Sequence, residues 1–142
     1  LGIALYLQHK FDEAEVVLRQ AVACYRKVVG TEHPSLIEAL RVLSRVLVEK
    51  GQATEAESVA REALLQSKKL FGDRNPAAAV CLNALGCALR KGGKLAEAES
   101  AFREELSIWQ ESGLAPDNKS FAESLLNAVL REQGKPAQEK AP

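Results

Sequence analysis

The chain contains no methionine and only one tryptophan, and aromatic residues make up just 5% of it. A full-length protein normally begins with methionine, so the sequence reads as a fragment or a trimmed chain. Three cysteines, Cys24, Cys81 and Cys87, are odd in number and do not suggest a disulfide framework. A reducing, cytoplasmic setting is therefore expected. Two histidines and no Cys-x2-Cys spacing argue against zinc, so no metal or cofactor is expected. Lys plus Arg equals Asp plus Glu at 19 each, which leaves no overall field to attract nucleic acid or a membrane surface. No apolar run approaches the roughly 20 residues of a membrane span. The opening "LGIALYLQHK" lacks the basic start and cleavage site of a signal peptide. "KGGK" at 91–94 is a turn, not a phosphate-binding Walker motif. Neither a Ser-His-Asp set nor a supported carboxylate pair is present, so the chain is not expected to be an enzyme.

What the sequence does contain is repetition. Apolar residues make up 46% and charged residues 27% of 142 positions, enough for a folded helical domain. At an offset of 42 residues, "FDEAEVVLRQA" (11–21) aligns with "ATEAESVAREA" (53–63) and "LAEAESAFREE" (95–105). Ala14, Ala56 and Ala98 coincide, as do Glu13, Glu55 and Glu97, and Glu15, Glu57 and Glu99. The preceding stretch repeats too, with Val42, Leu43, Val46, Leu47 and Gly51 matching Ala84, Leu85, Ala88, Leu89 and Gly93. A further copy follows at an offset of 41, in Leu125, Leu126, Val129, Leu130 and Gly134. Self-similarity at this period predicts a solenoid.

Each unit carries two apolar patterns of helical spacing, such as Leu82, Leu85, Leu89 and then Leu95, Ala98, Phe102, Leu106. Helices are expected at 1–8, 11–29, 34–50, 53–71, 76–91, 95–112 and 117–133. Gly51 and Gly93 mark the turn within a unit, and Gly30 and Gly72 end the second helix in a left-handed conformation. Pro34 and Pro76 open the next unit, with Asn75 as an N-cap and His33 helping to start its helix. His9 falls in a turn. Glu13, Glu55 and Glu97 sit where negative charge complements a helix N-terminus. Cys81 and Cys87 are expected to be buried as small apolar groups. Trp109 is either packed or exposed as an anchor for a partner.

These residues resemble the tetratricopeptide repeat. Its W-x2-L-G-x2-Y and A-x3-F signatures appear as Leu82-x2-Leu85-Gly86-x2-Leu89 and Ala98-x3-Phe102. The usual repeat is about 34 residues. The eight extra residues here, which bring the period to 42, are about two helical turns, one for each helix. This longer repeat, with "GTEHPS" between units and "LNALG" in the first helix, looks like that of kinesin light chains. The resemblance implies an all-α, right-handed superhelix of helical hairpins, a tetratricopeptide array over 1–134. Its expected parts are a partial unit at 1–29, units at 34–71 and 76–112, a terminal helix at 117–133 and a polar tail at 135–142. Leu1-Gly2-x2-Leu5 matches Leu85-Gly86-x2-Leu89, so the chain is expected to start halfway through a first helix, with earlier repeats before it. Glu139 lies 42 residues after Glu97, so the tail alternatively begins another second helix. Glu105 in place of Ala21 and Ala63, and Ser44 and Asn127 in place of Gly86, depart from the pattern.

The same resemblance implies a function: a protein-interaction scaffold that binds a peptide or partner protein in the groove lined by the first helices. The implied groove residues include Tyr6, Glu38, Arg41, Arg45, Val80, Asn83, Cys87, Arg90, Lys91, Phe121 and Arg131. The groove as a whole carries five basic residues, Arg41, Arg45, Arg90, Lys91 and Arg131, against the acidic Glu38, Glu49 and Glu132. Guanidinium forks suit carboxylates, which points to an acidic peptide. By the same resemblance Asn83 matches an asparagine that contacts the peptide backbone in kinesin light chains, although Ala84 stands where a second asparagine would be. The alternative is a structural spacer, or end-to-end self-association of the segment.

Overall fold

The computed structural model describes residues 1–114 and 116–138. Seven helices follow one another among them: α1 (Gly2–Leu7), α2 (Phe11–Val28), α3 (Pro34–Glu49), α4 (Ala53–Phe71), α5 (Pro76–Lys91), α6 (Leu95–Ser112) and α7 (Pro116–Glu132). Each begins and ends within one residue of its expected position. The expectation attached to Glu139 lies outside the described residues.

The two helices of a hairpin differ in how much of their surface is covered. Nine of the 16 residues of α3 are buried, but only six of the 19 in its hairpin partner α4. The difference follows from placement. The first helices α1, α3 and α5 touch in succession, and α3 and α5 also pack against second helices before and after them. The second helices meet through long charged side chains instead. Arg19 Nη2 reaches Glu55 at 2.7 Å and Arg61 Nη2 reaches Glu97 at 3.1 Å. About two turns further on in each case, Arg26 pairs with Glu62 at 2.6 Å and Lys68 with Glu104 at 3.0 Å. All four pairs span 36 residues. The coincident Glu55 and Glu97 thus do more than complement a helix dipole. Each exposed pair contributes little singly, but together they form a ladder down the outer face.

Local chemistry sets the joints. Asn75 Oδ1 accepts from the Ala78 N–H at 3.0 Å, and His33 Nδ1 accepts from the Ser35 N–H at 3.1 Å, each just before a helix-opening proline. Gly72 departs from the expected left-handed conformation. Its φ of 89° with ψ of 173° is extended backbone at positive φ, a region essentially restricted to glycine.

The turn within a unit places Gly51 and Gly93 at φ 77° and puts His9 at φ 59° in the first unit. A side chain there costs roughly 1–2 kcal/mol. Glycine loses about 0.5–1 kcal/mol more in backbone entropy on ordering. His9→Gly is therefore expected to raise stability, by up to about 1 kcal/mol in a urea melt. A loss of stability would mean that the edge contact of His9 on Phe11, at 5.6 Å between centroids, outweighs the strain.

Packing explains why the small position of the first helix varies. A Cβ on Gly86 would lie 2.5 Å from a ring carbon of Phe102, and one on Gly2 would lie 2.7 Å from Leu18. In the middle unit the position equivalent to Leu18 and Phe102 is Ala60, and Ser44 is accommodated. The buried Ser44 hydroxyl donates to the Ala56 carbonyl at 2.8 Å.

Candidate functional site

Along α5, Val80, Asn83, Cys87 and Arg90 recur at three- and four-residue spacing and so share a face. Two cavities lie along that face. The first, of about 160 Å³, is lined by Arg41 and Arg45 from α3, Val80 and Asn83 from α5, Glu105 and Trp109 from α6, and Asn118 and Phe121 from α7. The second, of about 410 Å³, is lined by Val48, Cys87, Arg90, Lys91 and Glu132. Tyr6 joins them through Arg45, whose Nε donates to the Tyr6 hydroxyl at 3.2 Å while the guanidinium lies 5.8 Å from the ring centre.

Eight of the eleven expected groove residues therefore line one of these two cavities, and Tyr6 makes a ninth through its bond to Arg45. Glu38 contributes to neither; it lines a cavity of about 570 Å³ at the N-terminal end, with Leu1, Val17, Leu18, Ala21 and Tyr25 among its neighbours. Arg131 is exposed on α7 and lines none of the three.

Charges expected to face a ligand are partly spent on each other. Arg41 donates twice to Glu38, at 2.8 and 2.6 Å, and Arg90 Nε donates to Glu132 at 2.8 Å. These bonds hold the Glu38 and Glu132 carboxyls below their ordinary range and push the two guanidiniums up. Arg45 differs: its hydrogen bonds go to the neutral Tyr6 and Asn83, and it pairs with no carboxylate among the described residues.

Asn83 is only 6% exposed, and its amide is engaged on both sides. Arg45 Nη1 donates to Asn83 Oδ1 at 3.1 Å, and Asn83 Nδ2 lies 3.2 Å from both carboxylate oxygens of Glu105. Trp109 Nε1 donates to the same carboxylate at 3.3 Å. Trp109 is thus packed, not an exposed anchor. Glu105 is the residue that the groove reading missed. Its signal was a carboxylate where other units have Ala21 and Ala63. Burial pushes its carboxyl up to about 7, against the opposing pull of Asn83, Trp109 and the Arg45 charge.

Cys81 is fully buried, as expected, and its thiol is pushed up to about 12 by that burial. Cys87 is only half-buried, because it lines the second cavity, and partial burial raises its thiol as well. Neither carries the lowered thiol of a nucleophile.

The sequence pattern of the tetratricopeptide repeat matches residues 1–64 and 46–111. The chain belongs to the tetratricopeptide repeat family. Such repeats are in general protein-interaction scaffolds and typically not enzymes. No curated protein matches the chain in sequence. Among solved structures, BtubC (BKLC) from P. vanneervenii superposes with a TM-score of 0.86 at 20% identity, over 94% of this chain and 54% of that one. A kinesin light chain-like protein with nearly identical TPR-like repeats from Podosopora anserina gives 0.84 at 21% identity, over 95% and 64%. A point variant of that protein gives 0.83 at 21% identity, with the same coverage. The fold is thus the tetratricopeptide superhelix with kinesin light chain-like repeats, and the chain spans between half and two thirds of those neighbours' length. No helix among the described residues is long and apolar enough to cross a membrane.

Proposed function

We propose that this tetratricopeptide array captures an acidic, extended peptide in the groove between α3, α5 and α7. One observation carries the reading: Arg45 stands at a cavity wall with no carboxylate partner among the described residues. The neighbouring cavity adds Lys91 from the same inner layer. Two cavities in line along α5 suit successive side chains of one strand of peptide. Asn83 then acts as the brace of Arg45 and not as a free hand for the peptide backbone.

The test is binding of a labelled hexaglutamate peptide, with hexalysine as control. Arg41→Gln with Arg45→Gln should weaken hexaglutamate binding by at least about tenfold, since a hydrogen bond to a charged group contributes on the order of 1.5–3 kcal/mol. Arg45→Gln alone should account for most of the loss, because Arg41 already has Glu38. Added salt should weaken the wild-type complex. Equal binding of both peptides, or of wild type and double variant, would contradict the groove reading.

A second reading, end-to-end association with another copy, is favoured by the apolar cavity beside the exposed Leu1 and Ile3. Mass that grows with concentration in sedimentation, together with no hexaglutamate binding, would select it.

A further inference from the structure

We propose that Glu105 is a proton-operated control on this groove, which admits an anionic side chain when the Glu105 carboxyl is neutral and excludes one when it is ionised. The inference rests on the groove reading above and adds its regulation.

The geometry starts from a carboxylate that is 2% exposed yet forms part of a cavity wall. Its close polar contacts are all neutral donors, the Asn83 amide N–H2 and the Trp109 indole N–H. The direction of this chain is fixed. A guanidinium can only donate, so Asn83 must turn its oxygen to Arg45 and its nitrogen to Glu105. Three helices pack charged and neutral groups around the carboxyl. From α3 come Arg45 and the Glu38-paired Arg41, and Glu49 lies further along that helix. From α5 come the neutral Asn83 and the Cys87 thiol, with Arg90 beyond, paired to Glu132. From α7 come Asn118 and Phe121.

With Glu105 ionised, its charge offsets that of Arg45, and Arg41 is offset by Glu38, so the first cavity presents no net charge to a ligand. With Glu105 protonated, the cavity gains one positive charge. The new O–H also lacks an acceptor on Asn83 Nδ2 or Trp109 Nε1, since both are donors. A carboxylate entering the cavity supplies it.

The carboxyl sits near 7, so the neutral fraction falls from about nine tenths at pH 6 to about one tenth at pH 8. Affinity for an anionic ligand falls by the same factor, about tenfold.

Trp109 is the only tryptophan in the chain and bonds to Glu105, so its emission reports the ionisation directly. The experiment follows Trp109 emission of the free chain from pH 5 to 9. It also measures labelled hexaglutamate binding at pH 6 and 8 and fixed ionic strength, in wild type, Glu105→Gln and Glu105→Ala. Alanine stands at the equivalent position of the other units, which guards against a glutamine variant that does not fold. Emission should titrate near neutrality in wild type and stay flat in both variants. Wild-type affinity should be about tenfold higher at pH 6, and the variants should bind equally at both pH values. A flat emission curve, or variants that keep the wild-type pH dependence, overturns the control. Peptide binding that ignores pH overturns the control but leaves the groove standing. No binding at either pH overturns both.

Discussion

Phe102→Ala should lower the unfolding free energy by about 3–5 kcal/mol, and in that background Gly86→Ala should turn from destabilising to stabilising. The Phe102 ring is fully buried, and three of its carbons lie 2.5, 2.7 and 2.9 Å from where a Gly86 Cβ would be. Adding that methyl group to the wild type overpacks the hairpin, which costs about 1–3 kcal/mol. Helix propensity pulls the other way by about 1 kcal/mol, so the net loss should be up to about 2 kcal/mol. Once the ring is gone the clash disappears and only the propensity gain remains. A double-mutant cycle in urea measures this. Additive effects would show that α5 and α6 do not meet at these two residues.

Glu105→Gln should stabilise the chain at pH 8.5 and have little effect near pH 4.5. A group whose carboxyl is raised from 4.5 to about 7 by folding stabilises fully below 4.5 and loses that contribution as pH rises through about 7. The shift corresponds to on the order of 3 kcal/mol, an upper figure for the loss. Glu99 has the opposite sign. Lys135 and Arg103 hold it at about 2, so its contribution is present above 4.5 and lost as pH falls towards 2. Chemical denaturation of wild type and variant across this range distinguishes the two. A stability difference between them that stays constant from pH 4.5 to 8.5 would contradict the buried position of Glu105.

Nearly all of the helical framework could be read from the sequence, because the signals are local. Asn75 before Pro76 and His33 before Pro34 act within one turn of themselves, and the repeat fixes the rest by analogy. The charge ladder needed the three-dimensional register. Glu55 and Glu97 announce a helix start in sequence, but their partners Arg19 and Arg61 are 36 residues away. Asn83, expected in the groove, lines the first cavity. Its engagement by Glu105 was not legible, because that needs α5 and α6 side by side. Glu105 itself showed only as an irregularity against Ala21 and Ala63. A lone carboxylate at a position that is small elsewhere marks a polar network with Asn83 and Trp109. Asn118 gave no signal at all.

The most direct measurement is a map of amide shift changes as hexaglutamate is added to the whole chain at pH 6. The account predicts that the largest changes fall on α3, α5 and α7, centred on Arg45, Val80, Asn83, Cys87 and Arg90. The outer ladder of Arg19, Glu55, Arg61 and Glu97 should be unmoved. Changes concentrated on that ladder, or around Leu1, Ala21 and Tyr25 at the N-terminal end, would contradict it.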